Sequence, residues 1–214
     1  MSEGQSASNE ALQKLLDTGE YSDLTIKCGL RAFKVHKAIV CARSEYFAAA
    51  SKPGAFKEGA TGTIELLSTV DPNAAKDDPS FDDPAAVKLM TDFLYLHDYP
   101  LTRTYLDASD PLDLFSKILC SSGDFGAIMD VKVYALGSKY QIPSLQSASL
   151  KKFEEAANLA WATDEFVHAV HLVHSTTPDS DKGLRDVTAR VLLEYDDVIF
   201  ANPAMEAVLA PPEA

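Results

Sequence analysis

Hydrophobic and polar positions along the chain first predict a short helix. In ALQKLLDTGEY, Leu12, Leu15 and Leu16 share one face and Gly19 marks a stop. A helix this short is marginal alone, so its leucine face must pack on its own domain or on a second copy. From Ser22 to Cys28 the period changes to two: Leu24, Ile26 and Cys28 are apolar, while Asp23, Thr25 and Lys27 are polar. This predicts a half-buried strand. Gly29-Leu30-Arg31 turns the chain, and Phe33 and Val35 begin a partner strand. A helical period returns at Ala38, with Val40, Ser44 and Phe47 on one face. In an equally consistent reading, Ser44 caps a second short helix that carries Tyr46 and Phe47 into the core. Lys52-Pro53-Gly54 ends this region.

A loop follows at Phe56-Lys57-Glu58-Gly59, then a short strand at Thr63–Leu67. Residues 71–84, DPNAAKDDPSFDDP, hold five Asp, one Lys and three Pro and predict a solvated acidic loop. The Asp spacing does not match an EF-hand. Asp83 caps, and Pro84 opens, a helix ending near His97. Its apolar face carries Ala86, Val87, Leu89, Met90, Phe93 and Leu94, with Lys88, Thr91, Asp92 and Tyr95 opposite. Residues 100–127 read as irregular, with a short helix at LDLFSKIL. Val131–Gln141 is apolar nearly all round and predicts a buried helix, broken by Pro143. Helices follow over 144–160, from a Thr163 or Asp164 cap through DEFVHAVHLVHS, and over KGLRDVTARVLLEY. The expected organisation is a mobile tail (1–10), a main domain (11–155), a C-terminal helical extension (156–200) and a final tail (201–214). No internal repeat is visible.

Charge changes the picture by exclusion. A formal net charge of -13 opposes a phosphate backbone, so no direct nucleic-acid binding is expected. Three cysteines without tight spacing, Cys28, Cys41 and Cys120, suit a reducing compartment. The N-terminus lacks the apolar stretch of a signal peptide, and no apolar run reaches the ~18 residues of a membrane span. These features point to the cytoplasm or nucleus and to no membrane association. No catalytic motif, cofactor or metal is expected. His36 reads as a structural hydrogen-bonding residue at a strand-to-helix junction, since no triad order surrounds it. His168, His171 and His174 line the polar side of one helix, and three histidines on one helix close a tetrahedral zinc site poorly.

The order of blocks resembles a BTB/POZ domain and is similar to the BTB-only proteins common in fungi. Tyr21–Ile26 resembles the family's first strand. Phe33-Lys34-Val35-His36-Lys37 matches its Phe-x-x-His-Lys signature, and Ser44-Glu45-Tyr46-Phe47 its Ser-x-x-Phe. Phe56-Lys57-Glu58 stands where the family often has a hydrophobic-x-Glu step. Phe93-Leu94-Tyr95 through Tyr99, and Val133 through Tyr140, resemble its two later helix ends. The resemblance implies an α+β fold, a small β-sheet flanked by a cluster of α-helices. It implies protein partners: self, through the first helix and strand, or a cullin scaffold in a ubiquitin ligase, or corepressors. Phe56, Glu58 and Tyr99 become candidate partner-binding residues, with Phe56 either anchoring in a partner or folding back onto its own core. Leu12, Leu15, Leu16, Asp23 and Lys37 become candidate dimer-interface residues. Asp23 and Lys37 match positions that form a charged pair in some relatives, and a local polar contact is the alternative. The longer 71–84 and 100–127 segments depart from a compact member. No kelch, MATH or zinc-finger region accompanies the domain. The expected function is a protein-interaction module: a cullin-type ubiquitin ligase adaptor or accessory subunit, or a homodimeric scaffold or transcriptional cofactor.

Overall fold

Gly29 and Leu30 turn strand β1 (Leu24–Cys28) back onto β2 (Arg31–Val35) as an antiparallel hairpin, with Leu24 opposite Val35. In this computed structural model, residues 3–54, 56–71, 80–99 and 126–195 are described. Strand β3 (Thr63–Leu66) lies parallel to β1 on its other side, Thr25 opposite Thr63, so the sheet order is β2-β1-β3. A parallel pair needs a long crossover. Helices α2 (Lys37–Arg43), α3 (Glu45–Ala50) and α4 (Lys57–Thr61) supply it. Helix α5 (Pro84–Leu96) follows, then α6 (Gly126–Lys139), α7 (Pro143–Ala160), α8 (Asp164–Thr176) and α9 (Gly183–Glu194). Helix α1 (Glu3–Thr18) precedes the sheet. The fold class is therefore α+β, a small mixed sheet among helices.

The chain divides into two compact units that interleave in sequence. One takes residues up to Tyr99 with Lys132–Ala148, and the other takes Pro100–Val131 with the residues from Ser149 on. Two of the boundaries fall inside helices, α6 and α7.

In the first unit, the two-residue period does what it predicts: Leu24, Ile26 and Cys28 are buried, as are Ile64 and Leu66 of β3. Helix α1 packs on α5. It stops where Gly19 adopts φ +63°, a left-handed residue whose N–H bonds the Leu15 carbonyl at 3.0 Å. The polar N-terminal residues, expected as a tail, are helical from Glu3 on. Their polar sequence gives amphipathic periodicity no signal there. Ser44 ends α2 and caps α3: its hydroxyl accepts from Phe47 N at 3.1 Å, and Phe47 is buried. The capping alternative is thus the one adopted. Tyr46, however, stays 38% exposed.

The expected polar side of α5 is corrected. Thr91, Asp92 and Tyr95 are fully buried, because the helix is enclosed all round and its polar groups find partners inside. Thr91 Oγ1 donates to the Val87 carbonyl at 2.8 Å. Lys88 Nζ reaches both Asp92 oxygens, at 2.6 and 2.8 Å. Tyr95 OH accepts from His36 N at 2.8 Å and meets His36 Nδ1 at 2.6 Å, while Nε2 lies 2.6 Å from the Glu20 carbonyl. A carbonyl only accepts, so Nε2 carries a proton and donates. His36 is thus the structural hydrogen-bonding residue at the β2–α2 junction. Burial pushes the Tyr95 hydroxyl up to about 12.

Helix α5 ends at His97, held at φ +59° with its N–H on the Phe93 carbonyl at 2.9 Å. A non-glycine residue there costs about 1 kcal/mol. His97→Gly will therefore raise stability by about 0.5–1 kcal/mol in denaturant titration. Burial, and then the Arg43 guanidinium, hold the His97 imidazole below its ordinary 6.5. The folded state then binds fewer protons than the unfolded state. That contribution is complete above 6.5 and is lost as pH falls below it. His97→Gly will lose less stability than wild type between about pH 7 and pH 5.

In the second unit, α8 packs on α9. Thr163 caps α8 by accepting from Phe166 N at 3.3 Å. Arg185 closes its C-terminus, donating to the Thr177 carbonyl at 2.6 Å and the His174 carbonyl at 3.3 Å. Phe166, Val167, Val170 and Val173 face inward, and His168, His171 and His174 are exposed. Trp161 stacks on Tyr195 with ring centroids 4.2 Å apart.

Candidate protein-interaction surface

Phe56-Lys57-Glu58-Gly59, expected as a loop, begins helix α4 instead. Five residues make barely more than one turn, about 7.5 Å. Two glycines permit it. Gly62 takes φ +64° and donates to the Glu58 carbonyl at 2.9 Å, closing the turn. Gly59 lies so near the α3–α4 connection that an added Cβ would stand 2.2 Å from the Lys52 carbonyl oxygen. The helix is thereby seated against backbone and its first residues face outward. Phe56, at the N-cap, is 60% exposed, and Glu58 is half-buried. Phe56 does not fold back into the core.

Helix α3 carries two members of an aromatic group. Tyr140 stacks on Phe47 (5.4 Å, 12° between planes) and meets Tyr46 edge-on at 4.9 Å. Burial pushes the Tyr46 hydroxyl up, helped by the nearby negative charges of Glu58 and Asp82. Asp82 corrects the picture of a wholly solvated acidic loop, because it is buried at 3% exposure. It accepts from Tyr140 OH at 2.5 Å and from Lys139 Nζ at 2.8 Å. Its backbone N–H donates to the Leu67 carbonyl at 2.7 Å. Burial raises the Asp82 carboxyl, and its hydrogen bonds to Lys139 and Tyr140 oppose that rise. Asp83 moves the other way: burial alone would push it up, but the Lys132 ammonium 2.5 Å away and the Ala85 and Ala86 N–H groups hold it below the usual range. The central part of the acidic segment, residues 72–79, lies outside the described residues, as do the LDLFSKIL helix and the C-terminal tail.

The other candidate residues separate from this group. Tyr99, a candidate for partner binding, is 0% exposed and lies edge-on to Phe93 at 6.4 Å, so its ring belongs to the core. Leu12, Leu15 and Leu16 are each half-buried on α1. Asp23 Oδ1 accepts from the Lys37 backbone N–H at 2.7 Å, the local polar contact rather than a side-chain ion pair. It caps α2 from a distance, since the N-cap His36 makes no side-chain cap bond. Apolar residues that pattern reading had not marked for the surface gather at the sheet's end: Leu30, Leu67 and Val70 are 82%, 58% and 60% exposed.

His36 is engaged at both ring nitrogens, and burial pushes the Cys28 thiol up to about 11, which leaves it a poor nucleophile. Among the described residues, no cluster of His, Cys, Asp and Glu could hold a metal ion, and no helix is long and apolar enough to cross a membrane.

The family model of the BTB/POZ domain matches residues 12–77, less than a third of the chain. The matched span runs from the α1 leucines through β3 and includes the Phe33–Lys37, Ser44–Phe47 and Phe56–Glu58 blocks. No curated protein matches the chain. A BTB/POZ domain is a protein–protein interaction module, and that is the broad function of this region.

Proposed function

We propose that this BTB/POZ-bearing chain is an adaptor or accessory subunit of a cullin-type ubiquitin ligase, and that Phe56 and Glu58 dock it on the cullin. The observation that carries this reading is the presentation of Phe56. A large aromatic ring stands 60% exposed at the N-cap of a short helix, with a carboxylate two residues on. An exposed ring that enters a partner's pocket supplies binding energy, and a neighbouring charge sets register and on-rate. The resemblance places a hydrophobic-x-Glu step at these residues and associates it with cullin recruitment.

Titration of the full chain with the N-terminal domain of a cullin tests this. Phe56→Ala will weaken binding by about 2 kcal/mol, roughly thirtyfold. Unchanged affinity would sink the role of Phe56. A second reading, a homodimeric scaffold or transcriptional cofactor that binds no cullin, is favoured by the half-exposed Leu12, Leu15 and Leu16 on α1. Light scattering separates the two: a monomer at tens of micromolar, on the scale of a weak interface, counts against the dimer. Either role places the chain in the cytoplasm or nucleus.

A further inference from the structure

Two consecutive aspartates at the end of the acidic segment are held by two lysines of α6, and the two pairs are built differently. The Asp83 side chain is 22% exposed, and its carboxylate accepts from Lys132 Nζ at 2.5 Å and from Ala85 N at 2.8 Å. The Asp82 side chain is 2% exposed. Its Oδ1 accepts from Lys139 Nζ at 2.8 Å and its Oδ2 from Tyr140 OH. Lys139, 33% exposed, also donates to the Ser80 carbonyl at 2.8 Å. Its ammonium thus ties residues 80 and 82 to the end of α6. The Asp82 backbone is secured separately, by its own N–H on the Leu67 carbonyl and by Thr69 N on its carbonyl at 3.0 Å. Among the described residues, the titratable groups facing Asp82 are Cys28 of β1, Tyr46 of α3, Asp83 at the start of α5, and Lys139 and Tyr140 at the end of α6. Lys132 of α6 faces Asp83.

We infer that Asp82, Lys139 and Tyr140 form an acid-sensitive staple, in which one proton on Asp82 releases Lys139 from residues 80 and 82 while Tyr140 and the backbone pairing stay in place. A carboxylate offers only acceptors, whereas a carboxylic acid offers one donor and an acceptor. Tyr140 OH donates to Oδ2, so Oδ2 stays the acceptor and the proton enters at Oδ1. There it meets the Lys139 ammonium, which has only donors. The lysine, partly exposed on a flexible stem, then turns to water. Its remaining bond to the Ser80 carbonyl exchanges with water at little net gain. Burial favours the neutral form of Asp82 and raises its carboxyl above the ordinary 3.8, against the pull of Lys139 and Tyr140. Burial would also push Asp83 up, but Lys132 and the Ala85 and Ala86 N–H groups hold it below that value. Acid therefore reaches Asp82 first. A carboxyl raised in the folded chain binds its proton more tightly there than in the unfolded chain, so this step favours the fold and the staple opens without unfolding.

Nuclear magnetic resonance on the full chain, labelled with carbon-13 at aspartate and lysine, tests this. The two ε-protons of a lysine give separate signals when the side chain is held and merge when it is free. On titration from about pH 7 to about pH 4, towards the range of an ordinary aspartate, the Lys139 signals will merge as the Asp82 carboxyl carbon shifts. The Lys132 signals will stay separate, and the amide signals of β1 will stay in place. Asp82→Asn, whose amide carries the donor–acceptor pattern of the acid, will merge the Lys139 signals already at about pH 7. If that variant folds poorly, the wild-type titration decides alone. Lys139 signals that remain separate after Asp82 has titrated overturn the staple. So does a merging that occurs only together with loss of the Lys132 or β1 signals.

Discussion

Phe47→Ala is expected to destabilise the first unit by about 3–5 kcal/mol, the range for emptying a fully buried phenylalanine site. Phe47 is 0% exposed, stacks on Tyr140 and meets Tyr46 edge-on at 5.5 Å. Its N–H closes the Ser44 cap, so the ring is held in place by the first turn of α3. The cavity left by alanine would border Tyr140, which is fixed at its hydroxyl by Asp82 and at its carbonyl by Ser44. That ring cannot collapse inward without giving up a buried hydrogen bond. Chemical denaturation measures the effect. A loss under about 1 kcal/mol would mean that α3 is not seated as described. Phe47→Leu, which conserves more volume, should cost no more than about 1.5 kcal/mol.

Gly59→Ala should couple stability to binding. The added methyl would meet the Lys52 carbonyl oxygen at 2.2 Å and its carbon at 2.8 Å, and backbone cannot rotate aside like a side chain. Overpacking of this kind costs about 1–3 kcal/mol. Relief comes by moving α4 outward, which carries Phe56 and Glu58 with it. The same substitution should therefore lower the melting temperature and, under the proposed docking, weaken cullin binding at least as much as Phe56→Ala, although it removes no atom of Phe56 or Glu58. Full binding with a lowered melting temperature would show that α4 need not be rigid to dock.

What the sequence made legible was local. The alternation of Leu24, Ile26 and Cys28 specifies a strand with one buried face, and the structure buries those three. Asp83-Pro84 announces the start of α5 because each residue has a specific job at a helix N-terminus, and the Asp83 carboxylate indeed accepts from Ala85 N at 2.8 Å. Gly19 and Ser44 were readable for similar reasons.

What escaped was set by contacts distant in sequence. Helix α4, Lys-Glu-Gly-Ala-Thr, is too short to show a period, and its glycine reads as a loop until the Lys52 carbonyl explains it. Asp82 looks like its acidic neighbours, and its partners Lys139 and Tyr140 lie more than fifty residues away. Thr91, Asp92 and Tyr95 look like a solvated face because residue type reports polarity, and only tertiary packing reveals that the polarity is satisfied inside. The same limit applied to the candidate surface: Phe56 and Glu58 were visible as residues, while the burial of Tyr99 was set by the fold.

The most direct test of the central claim is light scattering on the full chain mixed with a cullin N-terminal domain at tens of micromolar, a concentration well above the dissociation constant of a standard-size interface. The account predicts a complex with one cullin domain per chain, formed by wild type and lost when Phe56 is replaced by alanine. Separate elution of the two proteins, with neither mass changed by mixing, would contradict it.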